Sequence, residues 1–212
     1  MKKKEIILIG GGGHCKSCIE VIEAENKYKI AGIIDVKEKI GQELLGYKYI
    51  GCDNDLKNLR KKYDAALITI GQIKTAKVRK KLYNLVKSLG YKLPVIEAPS
   101  AYVSKHTKIG EGTIIMNQVM VNADVTIGTN NIINSKVLIE HDVFIGDYNH
   151  ISTGAKLNGN VSVGNECFIG SNTTFVNDIK IGDNTFIGVS SVVNKNIDKK
   201  GIYVGNPIRK IR

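Results

Sequence analysis

The chain of 212 residues contains no tryptophan, only three prolines and no long hydrophobic run. Its nine tyrosines and four phenylalanines are not interleaved with arginines as base-stacking platforms for nucleic acid require, so no nucleic acid is expected as a partner. The apolar run "IILI" at residues 6–9 is too short for the core of a signal peptide or for a membrane span. We therefore expect a cytoplasmic protein without membrane insertion.

Cysteine is also scarce, with four residues in the chain. Cys15 and Cys18 form a C-x-x-C pair, but no second pair completes a zinc site and no Trp-Cys context favours thioredoxin-like chemistry. Free thiols are therefore expected, with this pair on the first turn of a helix. The four histidines lack ligand spacing, so no metal is expected.

Charge is unevenly distributed along the chain. Residues 1–100 carry 20 Lys and Arg against 11 Asp and Glu, whereas residues 101–212 carry 11 against 9. The basic half is consistent either with an anionic ligand such as a phosphorylated small molecule or with an ordinary lysine-rich solvated surface.

The first half of the chain alternates between strand and helix patterns. "EIILIG" and "IAGIID" read as buried strands on either side of a helix that begins in "GGGGHCKSCIEVIEAENK". A third strand is expected over residues 64–71, a basic helix over residues 72–90, and a last strand in "KLPVIEAP" that runs into a linker at Pro94 and Pro99. The lysines and Arg79 of the basic helix are interpreted as a solvated face, with electrostatic steering of a phosphate as the alternative. These features predict a small doubly wound, Rossmann-like α/β domain over residues 1–98.

A glycine-rich turn follows the first strand of this domain. Glycines at 10 to 13 allow close approach of an anion to the N-terminus of the following helix. The turn is not a full G-x-G-x-x-G, because Lys16 stands where the last glycine would fall, and this argues against a nicotinamide cofactor. Asp35 ends the second strand, where an acid can bind a ribose, and Gly71 would line the same crevice.

The second half of the chain has a strict period of six. Starting at Val103, every sixth residue is apolar without an insertion, which is typical of a hexapeptide β-helix with three sides and therefore three hexapeptides per coil. We therefore predict an all-β parallel β-helix over residues 99–212. The anchors are Val103, Ile109, Ile115, Val121, Ile127, Ile133, Ile139, Ile145, Ile151, Leu157, Val163, Ile169, Phe175, Ile181, Ile187 and Val193.

The repeats and the ending "VGNPIRKI" resemble the left-handed β-helix acyltransferases. Together with "GGGGH", "GIIDVKEKIGQELLGYKYIG" and "IEHDVFIGDYNHIS", they are similar to bacterial sugar acetyltransferases of the sialic acid O-acetyltransferase and UDP-4-amino-sugar N-acetyltransferase type. The resemblance implies a left-handed helix, a homotrimer and acetyl-CoA bound in a groove between adjacent β-helices. It also implies an N-terminal domain that binds the nucleotide-linked sugar.

The resemblance assigns roles to individual residues. It implies that His141 is the general base, that Asp142 tunes it, and that Asn134 lies near the acceptor. Acetyl-CoA would contact His150, Gly159, Ser171 and Val189, and Gly188 is added because it lies in the column of small residues that begins at Ser152. The acceptor would contact Gly11, Gly12, Gly13, His14, Asp35 and Gly71 in addition to Asn134. The family often has a second acidic residue directly after the one that corresponds to Asp35, and this chain has Val36 there.

Stacking residues that are three hexapeptides apart supports part of this assignment. His141 would lie between Ala123 and Gly159, which leaves room beside its ring. The columns that begin at Ser152 and Thr153 are built of small residues and would form a trough suited to a pantetheine arm. His141 can take the proton of an attacking amine or hydroxyl, and the Gly159 N–H or the His150 ring can stabilise the oxyanion.

The most specific reading is direct N-acetylation of the 4-amino group of a UDP-amino-dideoxy sugar for bacterial glycan synthesis. O-acetylation of a sialic or legionaminic-type acid is an alternative within the class. A non-catalytic nucleotide-binding protein and a nicotinamide-dependent oxidoreductase are alternatives from other classes.

Overall fold

The computed structural model describes residues 3–212. The first part is a mostly parallel sheet with strand order β3-β4-β2-β1-β5 and helices on its faces. Its strands are β1 (Lys4–Ile9), β2 (Tyr28–Ile34), β3 (Glu43–Leu44), β4 (Tyr47–Gly51) and β5 (Ala65–Ile68). Its helices are α1 (Gly13–Glu25), α2 (Leu56–Leu59) and α3 (Lys77–Ser88), with 3₁₀ turns at Lys37–Lys39 and Asp53–Asp55.

Apolar patterning explains these elements. The strand β1 is buried from Ile6 onward, as expected for a central parallel strand covered on both faces. Helix α1 buries one face, including the cysteines at 15 and 18, and ends at Asn26 in the left-handed conformation. Helix α3 is followed by Gly90 with φ +81°. Apart from the last strand, the predicted strands and helices of this part are thus present, although α3 begins five residues later than expected.

The second part is a left-handed parallel β-helix of three sheets. Sheet I contains β6 (Ile96–Glu97), β9 (Ile114–Ile115), β12 (Ile132–Ile133), β15 (His150–Ile151), β18 (Phe168–Ile169), β21 (Thr185–Ile187), β23 (Gly201–Val204) and β24 (Arg209–Lys210). Sheet II contains β7 (Tyr102–Val103), β10 (Met120–Val121), β13 (Leu138–Ile139), β16 (Lys156–Leu157), β19 (Thr174–Phe175) and β22 (Val192–Val193). Sheet III contains β8 (Lys108–Ile109), β11 (Thr126–Ile127), β14 (Phe144–Ile145), β17 (Ser162–Val163) and β20 (Lys180–Ile181).

The predicted register, in which each anchor pairs with the anchor three hexapeptides later, is confirmed. Ile127 pairs with Ile145, Ile133 with Ile151, and Leu157 with Phe175. All but the first two anchors are buried, and those two, Val103 and Ile109, lie half-buried in the first coil. The anchors therefore form one continuous apolar core along the β-helix axis.

The turns between sheets recur with the same period as the anchors. Every sixth residue from position 112 to position 190 has a positive φ, and among these Asp124, Lys136, Asp142 and Asn160 have values between 58° and 63°. Asn and Asp tolerate this left-handed conformation better than other non-glycine residues. The strained backbone at Asp142 thus belongs to the repeat and is not peculiar to one coil.

The segment predicted as the last strand of the α/β domain is divided between the two parts. Lys92 bridges to Ala65 at the edge of the first sheet, while Ile96–Glu97 pairs with Ile114 and Ile115 in sheet I. The apolar side chains after Pro94 belong to the same buried cluster as the face of α1 that packs on sheet I. This segment therefore extends sheet I and not the first sheet. Among residues 3–212, every helix is too short or too polar to reach across a bilayer.

Candidate active site between two edges of the prism

His141 lies in the turn that joins sheet II to sheet III, called here edge II–III. Its Nδ1 is 2.8 Å from Oδ2 of Asp142, and the side chain is 60% exposed. A carboxylate accepts hydrogen bonds, so Nδ1 carries the proton and the neutral ring presents the Nε2 lone pair to the outside. The hydrogen bond to Asp142 raises the pKa of His141, and the negative charges of Asp142 and Glu140 act in the same direction against partial desolvation.

Gly159 lies directly against this imidazole ring. A Cβ at Gly159 would be 2.7 Å from Cε1 and 2.9 Å from Nε2 of His141, so a side chain there would displace the ring. The same Cβ would be 3.2 Å from Nδ2 of Asn177, one further coil along the stack. Sequence reasoning did not select Asn177, although the same count of three hexapeptides leads from His141 through Gly159 to this position.

His150 is in a different environment on β15 of sheet I. It is only 9% exposed, and its Nδ1 donates to the backbone carbonyl of Gln72 at 2.6 Å. Its Nε2 is 3.2 Å from Nδ2 of Asn134, and the Asn134 amide is oriented by its Oδ1, which accepts from the N–H of Ser135. Burial lowers the pKa of His150 to about 4, so the ring is neutral at physiological pH.

These contacts correct one mechanistic expectation. Both ring nitrogens of His150 already have partners, and the ring packs edge-on against Phe168 with centroids 5.2 Å apart. The ring thus has no N–H left to donate to an oxyanion. The sequence did not indicate this because the partner Gln72 lies 78 positions away.

The trough of small residues lies along the turns that join sheet I to sheet II, called here edge I–II. The hydroxyls of Ser152 and Ser171 are 2.9 Å apart, and Val189 is 67% exposed. A Cβ at Gly170 would lie 2.6 Å from the backbone of Gly188. Close stacking by itself therefore requires small residues here.

The predicted site residues fall on two separate edges of the prism. Asn134, Ser171, Gly188 and Val189 follow strands of sheet I at edge I–II, whereas His141 and Gly159 follow strands of sheet II at edge II–III. His150 lies on sheet I itself, beneath the N-terminal part. One protomer does not bring these groups together on one surface.

The residues predicted to bind the acceptor surround the carboxyl ends of β1, β2 and β5. The Gly11 N–H donates to Asp35 Oδ2 at 2.6 Å, and a Cβ at Gly11 would be 2.4 Å from the ring of Tyr49. At Gly12 and Gly13 a Cβ would meet nothing within 4 Å, so the backbone there is open to a ligand. A Cβ at Gly71 would lie 3.5 Å from the Cβ of His14, on the opposite side of the turn.

The pKa values of Asp35 and His14 are both lowered, but by different causes. Burial of Asp35 alone would raise its pKa, but hydrogen bonds from the Val36 N–H, Lys39 and the Gly11 N–H lower it below its usual range. Burial, together with the charge of Arg79 and the proximity of His150, lowers the pKa of His14 to about 3. Asp35 is therefore ionised and His14 neutral.

Hydrogen bonds that the sequence did not reveal hold the N-terminal part against sheet I. Gln72 donates to the carbonyl of Tyr148 at 2.8 Å, and Arg79 is 1% exposed with its guanidinium on the carbonyls of Ile68 and Ile70 and on Asn130. Burial lowers the pKa of Arg79 to about 10.

The interpretation of α3 as a solvated face was therefore wrong for Arg79. This side chain instead ties the carboxyl end of β5 to the β-helix. Lys80 and Lys87 also reach across to the β-helix, to Glu166 and Glu111. Within residues 3–212 no three side chains of His, Cys, Asp or Glu cluster as metal ligands.

Comparisons with known proteins agree with this architecture. Residues 5–86 match the PglD N-terminal domain family, and residues 106–141 and 160–195 match the bacterial transferase hexapeptide family of six repeats. A segment of 116 residues is 34% identical to the UDP-N-acetylbacillosamine N-acetyltransferase of Bacillus subtilis (strain 168). That match spans 53% of this chain and about half, 51%, of the relative.

Solved structures extend the likeness to almost the whole chain. PerB from Caulobacter crescentus, in complex with CoA and GDP-perosamine, is 31% identical with a TM-score of 0.92, over 98% of this chain and 97% of that one. The acetyltransferase domain of PglB from Neisseria gonorrhoeae FA1090, in complex with acetyl coenzyme A, is 26% identical with a TM-score of 0.92, over 99% and 100% of the two chains. The chain belongs to the hexapeptide-repeat sugar acetyltransferase family with a PglD-type N-terminal domain.

Proposed function

We propose that the protein is an acetyl-CoA-dependent N-acetyltransferase that acts on the 4-amino group of a nucleotide-linked amino-dideoxy sugar. The relative that matches over nearly its whole length binds CoA and GDP-perosamine, and the curated relative acts on a UDP-linked amino sugar. The observation that carries the proposal is the exposed Nε2 of His141, next to Gly159 and backed by Asp142.

In the proposed reaction His141 removes a proton from the acceptor amine as its nitrogen attacks the thioester carbonyl. The new C–N bond forms, the C–S bond breaks, and the CoA thiolate leaves with the pair of electrons. Asp142 favours the imidazolium that forms, because a carboxylate on Nδ1 stabilises a positive ring. The N–H of Gly159 makes no hydrogen bond within residues 3–212 and is available for the oxyanion. No covalent acyl-enzyme is needed.

The active site is proposed to form between two protomers of a homotrimer. Edge II–III supplies His141, Asp142 and Gly159, and edge I–II of the neighbour supplies Asn134, Ser171, Gly188 and Val189. His150 supports this second edge through Asn134. This arrangement is favoured because acetyl-CoA must contact both edges, which are separated by the width of sheet II in one chain. A cytoplasmic location and the lack of a nucleic-acid partner stay predictions from composition.

The acceptor is proposed to lie across the N-terminal part. Gly12 and Gly13 face the phosphates at the N-terminus of α1, and Asp35 faces the ribose. His14 and Gly71 line the path from the phosphates toward Asn134. The crevice beside them encloses about 410 Å³, which is within the range of small-molecule sites.

Incubation with acetyl-CoA and UDP- or GDP-linked 4-amino-dideoxy sugars, followed by mass spectrometry, tests this function. We expect an N-acetylated sugar nucleotide and release of free CoA thiol, with both lost in His141→Ala. Acetyl transfer to the hydroxyl of a sialic-type acid, with none to the amino sugars, would contradict the proposal. CoA release without any acetylated acceptor would also contradict it.

A further inference from the structure

The crevice next to the glycine turn continues past Asp35 to the end of β4. Its lining comes from the residues after β1, β2, β4 and β5, at the carboxyl edge of the sheet. The residues that matter here are Gly10, Asp35, Val36, Cys52, Asp53 and Asn54. In open α/β sheets, ligands bind at this edge, outside the ends of the strands.

The strand order arranges these residues in a row. Neighbouring strands are β1, β2 and β4, and two steps between them span about 10 Å. That span is similar to the length of a nucleotide from its α-phosphate to the far edge of its base. With the phosphate at the turn after β1 and the ribose at Asp35, the base therefore reaches the residues after β4.

The far end of the crevice has an apolar wall and two free polar side chains. Val36 lines this end and is 54% exposed, so it offers an apolar surface on which a flat base can pack. Neither Asp53 nor Asn54 makes a side-chain hydrogen bond or ion pair within residues 3–212. The next residue, Asp55, is bound to the N–H and Sγ of Cys52 at 2.9 and 3.3 Å and so fixes the turn that carries both.

We propose that Asp53 and Asn54 read the edge of the nucleobase, an inference that rests on the proposed function. A carboxylate only accepts hydrogen bonds, and an amide can donate through Nδ2. The pair fits a base with a ring N–H beside a carbonyl, which uracil and guanine have. Cytosine and adenine present an unprotonated ring nitrogen and an amino group instead, so they place a lone pair against the carboxylate. The crevice thus selects bases with a ring N–H beside a carbonyl. Asp53 accepts the discriminating hydrogen bond from this N–H, which the apolar Val36 cannot do.

Titration calorimetry of the full chain with UDP, GDP, CDP and ADP tests the selection. We expect UDP or GDP to bind at least about tenfold more tightly than CDP and ADP, because a matched pair of hydrogen bonds to a base edge supports discrimination of this order. In Asp53→Asn the preferred nucleotide should bind more weakly. The difference in affinity between the four nucleotides should also narrow, since an amide can also donate to a ring nitrogen. Asp198→Asn, which changes the net charge equally at a distant exposed acid, should leave both unchanged.

Cys52 provides a second readout that does not depend on catalysis. Cys15, Cys18 and Cys167 are fully buried, and burial raises the pKa of the first to about 11 and of the last to about 12. Cys52 is half-buried at the crevice, so a maleimide should modify it first. UDP or GDP should slow this modification more than CDP or ADP at equal concentration.

The outcomes separate this inference from the proposed function. If all four nucleotides bind and protect Cys52 equally, or if Asp53→Asn keeps the full discrimination, base reading by this pair is wrong while the acceptor class stands. If none binds and none protects Cys52, the nucleotide-linked acceptor is wrong as well. A preference for UDP over GDP, or the reverse, supports the inference and identifies which of the two bases is used.

Discussion

His141 and His150 occupy two regions of one β-helix coil that treat the same side chain in opposite ways. At edge II–III, His141 is exposed, has one nitrogen free and has its pKa raised by Asp142. On sheet I, His150 is covered by the N-terminal part, has both nitrogens bound and has its pKa lowered to about 4. The difference shows that the turn position leaves a side chain available for proton transfer, while the strand position under Gln72 uses it to hold Asn134.

Removal of the exposed histidine should have the largest effect on activity. In His141→Ala we expect kcat to fall on the order of a thousandfold, within the usual range for a general base, with binding of CoA retained. Steady-state kinetics and calorimetry measure the two quantities. His106→Ala, in the first coil, is the matched control and should keep full activity. Unchanged kcat in His141→Ala would end the assignment of the base.

Burial of His150 should instead contribute to a loss of stability at low pH. The unfolded His150 takes up a proton near pH 6.5, while the folded residue does so only near 4, so the free energy of unfolding falls as the pH is lowered across this interval. The loss is on the order of 3 kcal/mol and is complete below the folded pKa. Urea titrations at pH 7 and pH 4 measure it.

His150→Gln should reduce this pH dependence, and His106→Gln should not. His14, whose pKa is also lowered by burial, leaves part of the slope in place. An equal slope in the wild type and in His150→Gln would contradict the buried, neutral state of this ring.

Gly159→Ala sharpens the comparison by moving the exposed ring without removing it. The new Cβ would lie within 3 Å of two ring atoms of His141, so the imidazole must rotate away from Gly159. Misplacement of this size costs on the order of a hundredfold in kcat. The melting temperature should change little, because the displaced ring is exposed. A large fall in melting temperature with normal kcat would show that the glycine is required only for stacking.

Asp142→Asn should have the smallest effect on rate. Loss of one half-exposed, charge-assisted hydrogen bond lowers kcat on the order of tenfold. Because the carboxylate raises the pKa of His141 and the working form is deprotonated, its removal should shift the acid limb of the kcat/KM profile to lower pH. A shift to higher pH, or none, would mean that another group controls that limb.

The β-helix could be predicted in detail from the sequence, whereas the contacts between the N-terminal part and the β-helix could not. The spacing of apolar anchors identified the β-helix and its register, because each inward position repeats in sequence. Arg79 was misread, since its helical spacing resembles that of exposed lysines and its carbonyl partners lie elsewhere in the chain. Ile96–Glu97 was placed in the wrong sheet because a buried strand in either part has the same apolar pattern.

The candidate site shows the same limit. The contact of Gly159 with His141 follows from counting three hexapeptides along the sequence, and the structure agrees. The binding of His150 to the Gln72 carbonyl depends on how two domains pack, which no local pattern encodes. The two groups of site residues lie on different edges because the strands that precede them belong to different sheets.

Mixing two inactive variants tests most directly whether the site needs edges from two protomers. His141→Ala disables edge II–III, and Ser171→Trp blocks edge I–II, so neither homotrimer should be active. After unfolding and refolding together in equal amounts, about a quarter of the sites should combine two intact edges and recover that fraction of wild-type activity. If the mixture stays inactive while mixed trimers are present, both edges act within one protomer and the proposed shared site is wrong.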